Sequence, residues 1–144
     1  MTILNEEEQE RVVDAVSVAE NMTSGEIRVV VENVVGDGKT AIEKATKYFE
    51  SLKMHKTRLR NGVLLYLAVQ DHQFAIIGDT GINSRVEADF WEKTKEKMLL
   101  HFRNGDFASG LVAGIHDAGE QLHNYFPRRE DDVNELPNDI HFGN

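Results

Sequence analysis

Apolar residues recur along this chain with two different periods, and the switches between them mark its elements. Residues 5–22 carry Val12, Ala15, Val16, Ala19 and Met22 at helical spacing. Asn5 with Glu8 three positions later predicts a capping box, and Glu6 and Glu7 suit the positive end of the helix dipole. Thr23-Ser24-Gly25 breaks that pattern. Residues 26–34, EIRVVVENV, are short and β-branched, which predicts a strand. Gly36-Asp37-Gly38 reads as a loop. Helical spacing returns over 40–52, with Ala41, Ile42, Ala45, Tyr48, Phe49 and Leu52 on the apolar face and Thr40 with Glu43 as a second capping box.

Residues 60–83, RNGVLLYLAVQDHQFAIIGDTGIN, organise the rest. Two short apolar runs, 62–69 and 74–77, flank the polar break Gln70-Asp71-His72-Gln73, which predicts an antiparallel hairpin. Ser84 and Glu87 form a third capping-box pattern, predicting a helix from there to about Phe102 with Val86, Phe90, Trp91, Met98 and Phe102 inward. Asn104-Gly105 stops it. Asp106 then caps a last helix with Phe107, Leu111, Val112, Ile115, Ala118 and Leu122 buried, and Pro127 ends the fold. One domain is expected over residues 1–126. Residues 127–144 are acidic, carry Pro137 and have little to bury, so a loosely held tail is expected.

The order helix, strand, helix, strand, strand, helix, helix contains a strand–helix–strand unit, which implies two parallel strands joined by a crossover. Both strands are almost continuously apolar, as strands covered on both faces are. The fold expected is a three-layer α/β/α sandwich around a small mixed β-sheet, with room for further edge strands at 33–37 or 53–59. Parallel strands start at the same end, and the antiparallel one finishes there. Ser24-Gly25-Glu26, Arg60-Asn61-Gly62 and Gly78-Asp79-Thr80-Gly81 should therefore meet. Glu26, Asn61, Asp79, Asn83 and Glu87 converge in this reading from three segments, and oxygen ligands of that kind suit calcium or magnesium. The same residues also have local readings: Asn61 as a turn former, Glu87 as a cap, Glu26 as a salt-bridge partner. The regular ligand spacing of an EF-hand is absent.

Composition narrows the function. The chain has 144 residues, 40% hydrophobic and 28% charged, which fits one globular domain with its own core. A net charge of −9 argues against nucleic acid, which needs a basic face, and is compatible with cations. No apolar run reaches the roughly 18 residues a membrane span needs. The N-terminus, MTILNEEEQE, has neither the basic nor the apolar region of an export signal, so a cytoplasmic location is expected. The absence of cysteine excludes disulfides, thiol catalysis and zinc–thiolate sites.

Several marks together resemble the TPM-domain family. They are Ser24-Gly25-Glu26-Ile27 entering the first strand, Asn61-Gly62-Val63-Leu64-Leu65 entering the second, and residues 78–81 leaving the third. Phe102-Arg103-Asn104-Gly105-Asp106-Phe107 and Gly110-Leu111 complete the set before the last helix. The resemblance runs from about Leu4 to Phe126. It implies an α/β/α sandwich with loops that cross near the sheet edge and hold divalent cations. It also implies a choice of roles, since some relatives are described as acid phosphatases and others as accessory factors in membrane complexes or receptor modulation. Fold alone does not choose between them. This chain departs from many relatives in having Arg60 where they have an acid and Asp79 where they have an aromatic. It also shows no export signal or anchor, as in a stand-alone member.

Other constellations are weaker. The stretch 33–40 follows a strand and opens a helix, yet Asn33 stands where a phosphate-binding loop needs its first glycine, so a turn with Thr40 as N-cap is the preferred reading. His116, Glu120 and His123 share one helical face and read first as a solvated stripe, second as a transition-metal site. No G-x-S-x-G elbow is present. The expectation is a divalent-cation-binding TPM domain with a regulatory or accessory role, its metal ordering loops at one sheet edge, acting with a protein partner the sequence does not identify. The alternatives are a metal-assisted acid phosphatase, in which Arg60 would hold phosphate, and a metal-independent interaction scaffold.

Overall fold

A computed structural model describes residues 4–36, 38–128 and 138–143. Its order is α1 (Glu6–Glu20), β1 (Glu26–Glu32), α2 (Ala41–Ser51), β2 (Gly62–Ala68), β3 (Gln73–Gly78), α3 (Thr80–Asn83), α4 (Glu92–Phe102), α5 (Phe107–Tyr125) and β4 (His141–Phe142). The sheet runs β3-β2-β1-β4. β1 and β2 are parallel from Glu26 beside Gly62 to Glu32 beside Ala68, and β2 and β3 are antiparallel. This is the expected mixed sheet with helices on both faces.

Alternation along the strands divides the core into two apolar layers. Ile27, Val29 and Val31 of β1 and Val63, Leu65 and Leu67 of β2 pack with α1, α4 and α5. Val30, Leu64 and Tyr66 face the other way, against Ala41, Ala45 and Phe49 of α2 and Met54 beyond it. Among the described residues, α1, α4 and α5 with Ile82 of α3 thus cover one face, and α2 covers the other.

The helix starts follow local chemistry. Asn5 and Glu8 form the predicted capping box. The Thr40 side chain accepts from the Glu43 N–H, and Asp106 accepts from Ser109 N–H. Inside α2, Ile42 proves half exposed rather than part of the buried face.

Two expectations fail here for physical reasons. The predicted helix from Ser84 is instead a single turn, α3, followed by an irregular stretch and then α4 from Glu92. Asp79 is the N-cap of α3, and Ser84 is its C-cap rather than a helix start. Burial of Ile82 fixes that turn, and Glu87 is exposed outside any helix. The other concerns sheet edges. The fourth strand lies in the C-terminal segment, not at 33–37 or 53–59, whose described residues form no strand. His141 and Phe142 pair parallel to Val30 and Val31, because the outer edge of β1 would otherwise leave backbone groups unpaired. Residues 129–137 lie outside the described residues, so the expectation of a loose tail is met by no observation there.

Leu65 is fully buried in the central strand pair. Leu65→Ala should cost about 3 kcal/mol, as truncation in a packed core does. Urea unfolding checks this, and a loss below about 1 kcal/mol would mean that the layer repacks.

Candidate functional site

The turns at one end of the sheet bring the expected residues together at the level of the main chain. Glu26 N–H reaches Asn61 O, and Asp79 N–H donates to Gly62 O at 2.9 Å. Glu26, Gly62 and Asp79 therefore make one row across three strands, spanning about 10 Å at the usual strand spacing. The side chains then diverge. Met54 is fully buried over Gly62, its carbonyl oxygen and methyl 3.3 and 3.6 Å from where a Cβ would stand. It stands between Glu26 and Asp79.

On one side of Met54, Asp79 is buried and held by three donors. Arg60 Nε donates to Oδ2 at 2.9 Å and Nη2 to Oδ1 at 3.0 Å, and Thr80 N–H donates to Oδ1 at 2.7 Å. The forked pair is the strong form of such an interaction, and it raises the Arg60 pKa above its ordinary value. Arg60 is the accessible partner, its side chain 46% exposed against 3% for Asp79. The arginine adopts left-handed backbone, φ 52°. Its carbonyl accepts from Gly81 N–H at 2.8 Å. A Cβ on Gly81 would overlap the Leu59 and Arg60 carbonyl oxygens, so only glycine lets these two turns touch.

The pair lines an open groove of about 680 Å³ with Phe49 and Ile77, and with Thr46, Glu50, His55, Thr80 and Asn83. Asn83 donates its amide to Gly78 O at 3.0 Å. Of the predicted ligands, Asp79 and Asn83 share this groove. Glu87 is not part of its wall, and Asn61 is buried with its amide 3.4 Å from Ser24 Oγ. Among the described residues, no three His, Asp or Glu side chains gather closely enough to hold a metal. The oxygens of Asp79, Asn83 and Thr80 are of the type a hard cation takes, but Arg60 already neutralises Asp79. A cation fits there only in exchange for the guanidinium.

On the other side of Met54, Glu26 meets Glu20, the last residue of α1. Glu20 Oε2 accepts from Ile27 N–H at 2.9 Å, which covers the lower part of the open β1 edge. Burial first, and then the charge and hydrogen bond of Glu26, push the Glu20 carboxyl up to about 9 against the pull of Ile27 N–H and Arg128. At neutral pH Glu20 therefore keeps its proton beside the buried Glu26.

A family model described as TPM domain matches residues 1–121. The chain belongs to the TPM-domain family. Among solved structures it is similar to the BA42 protein of the psychrophilic bacterium Bizionia argentinensis, at 47% identity and TM-score 0.90, covering 97% of this chain and 95% of that one. It shares its fold with the N-terminal domain of a P. gingivalis protein, at 19% identity and TM-score 0.69 over 89% and 83% of the two chains. The N-terminal domain of the cg2496 protein of Corynebacterium glutamicum is a further fold match, at 14% identity and TM-score 0.61 over 83% and 74%. Comparison with curated proteins found no match. Among the described residues of this TPM domain, no helix is long and apolar enough to cross a membrane.

Sequence reasoning missed a second polar centre, at the opposite end of the sheet. Glu32 closes β1 almost fully buried. The hydroxyls of Tyr48 on α2 and Tyr66 on β2 both donate to it, and Lys44 Nζ stands 3.5 Å away. Burial and the bond to Glu32 push the Tyr48 phenol up to about 12. The available signal was a carboxylate ending an apolar strand, in phase with tyrosines on the same face. The His116–Glu120–His123 stripe is exposed throughout, and His123 Nδ1 also lies 2.7 Å from Met22 O. Thr40 caps α2 as the non-nucleotide reading of residues 33–40 requires.

Two measurements test this description. Gly81→Ala should destabilise by about 2 kcal/mol, the scale of forced overpacking, since the overlapped atoms are backbone. An unchanged urea midpoint would mean that the two turns do not touch in solution. Glu20 binds a proton in the fold that the unfolded chain releases near 4.5, so stability should fall as pH rises from about 4.5 towards about 9. Glu20→Gln should flatten that fall when midpoints at pH 5, 7 and 9 are compared, and an equally steep fall in the variant would refute the assignment.

Proposed function

We propose that this TPM domain is a divalent-cation-binding accessory module, and that calcium or magnesium enters the groove at Asp79 by displacing Arg60. The observation that carries the reading is the asymmetry of the ion pair. A buried carboxylate faces an open groove, and its counter-charge is an arginine half in solvent. Asp79, with Asn83 and Thr80 beside it, supplies the oxygen donors. Arg60 acts as an internal competitor that keeps the buried charge neutral when cation is scarce.

The exchange has a conformational consequence. Arg60 lies on left-handed backbone, and its carbonyl is bonded to Gly81. Releasing the guanidinium loosens the segment between Met54 and Gly62, which borders the groove, and a partner protein can read that change. The reading agrees with the net charge of −9 and with the cation-holding loops that the family resemblance implies.

Calcium and magnesium titrations of the metal-stripped protein, followed by backbone amide NMR, test it. Saturable shifts are expected at residues 58–62 and 78–83. Arg60→Ala should tighten binding about tenfold by removing the competitor, and Asp79→Asn should abolish it. No response at millimolar cation would sink the reading. Turnover of a phosphomonoester such as p-nitrophenyl phosphate, lost in a folded Asp79→Ala variant, would instead favour the metal-assisted phosphatase.

A further inference from the structure

The outer edge of β1 is covered in two different ways. At its start a side chain does the work, with Glu20 accepting from Ile27 N–H. At its end the chain's own C-terminal segment does, with His141 and Phe142 laddered to Val30 and Val31 and Gly143 N–H donating to Val31 O at 2.9 Å. Two ladder residues are few beside the seven that join β1 to β2. Yet the segment is read along its length. Asn138 donates to Ser17 Oγ on α1 at 3.1 Å. Ile140 packs on the apolar layer beneath α1. The His141 ring lies 5.4 Å from the Tyr48 ring. Gly143 sits so near the second polar centre that a Cβ would overlap Glu32 Oε1 and the Tyr48 hydroxyl.

We propose that the outer edge of β1 is a docking site for an extended peptide, held here in cis by residues 138–143 and open in trans to a partner segment of the same pattern. That pattern is an apolar residue, then an aromatic or imidazole ring, then glycine two positions further. The backbone ladder supplies affinity and the alternate side chains supply selectivity, as in strand addition to a sheet edge. Glycine is selected because Glu32 is pinned by two tyrosine hydroxyls and cannot swing away from a side chain. Tethering on one chain makes docking of the segment intramolecular, which favours it over the same pattern offered in trans. A two-residue ladder is therefore enough for occupancy in cis, and weak enough for a partner segment to replace. The site lies at the other end of the sheet from Asp79 and needs no cation.

The test uses the full chain and a synthetic peptide of residues 138–143. Gly143→Val should lift the segment, removing amide protection at position 143 and shifting the Tyr48 ring signals. The fluorescent peptide should then bind this variant at least about tenfold tighter than the wild type, where the tether competes. A peptide carrying Ile140→Asp or Gly143→Val should not bind either protein. Ile140→Asp in the chain serves the same purpose if Gly143→Val does not fold. Retained protection in both variants, or a peptide that binds wild type and variant alike, would overturn the proposal. Peptide-induced shifts confined to residues 58–62 and 78–83 would also overturn it, and would leave the cation reading intact.

Discussion

Burial of β1 on both faces is the constraint on which the structure depends. The strand sits inside the sheet, with α2 on one side and α1 and α5 on the other, and most of it is aliphatic. Polar side chains are tolerated only where the layers end or the edge opens. Glu26 and Glu32 mark those two ends, both buried, and Arg28 stands between them only partly buried. Each carboxylate then has to be matched, because an unmatched buried charge costs several kcal/mol. Glu26 is matched by the raised acid Glu20, and Glu32 by two tyrosines and Lys44. The buried carboxylates of β1 are thus sorted to its two ends.

Much of this was legible because periodicity reports burial directly. The helix stripe at Val12, Val16 and Ala19, the aliphatic runs of β1 and β2, and the caps at Asn5, Thr40 and Asp106 all carry their signal within a few residues. The layered architecture follows from these local signals and from chain order. What escaped was decided by contacts between distant segments. The Ser84–Glu87 pattern has the spacing of a cap, but the backbone there is governed by Ile82 in the core and Gly81 against Leu59 and Arg60. A two-residue strand such as β4 has no hydrophobic run to announce it, since its reason for existing is the unpaired edge of another strand.

The site was legible to the same depth. Strand direction alone places Glu26, Asn61 and Asp79 at one end of the sheet, and they are there. Direction says nothing of a loop methionine, and Met54 divides that end into an acid pair and an ion pair. Nor does it reveal that Arg60, on left-handed backbone, turns its guanidinium back onto Asp79. Arg60 and Asp79, read singly from the sequence, are in the fold two halves of one ion pair.

The unequal cover of the sheet has a mechanical consequence. α1, α4 and α5 form a thick layer in which each helix braces another, while α2 lies alone on the opposite face. Thr46, Phe49 and Glu50 of that lone helix border the groove at one end, and Lys44 and Tyr48 touch Glu32 at the other. One helix thus lends side chains to both polar centres, and its seat on the sheet is a single apolar face of Ala41, Ala45 and Phe49. A substitution that unseats that face disturbs the groove and the Glu32 cluster together.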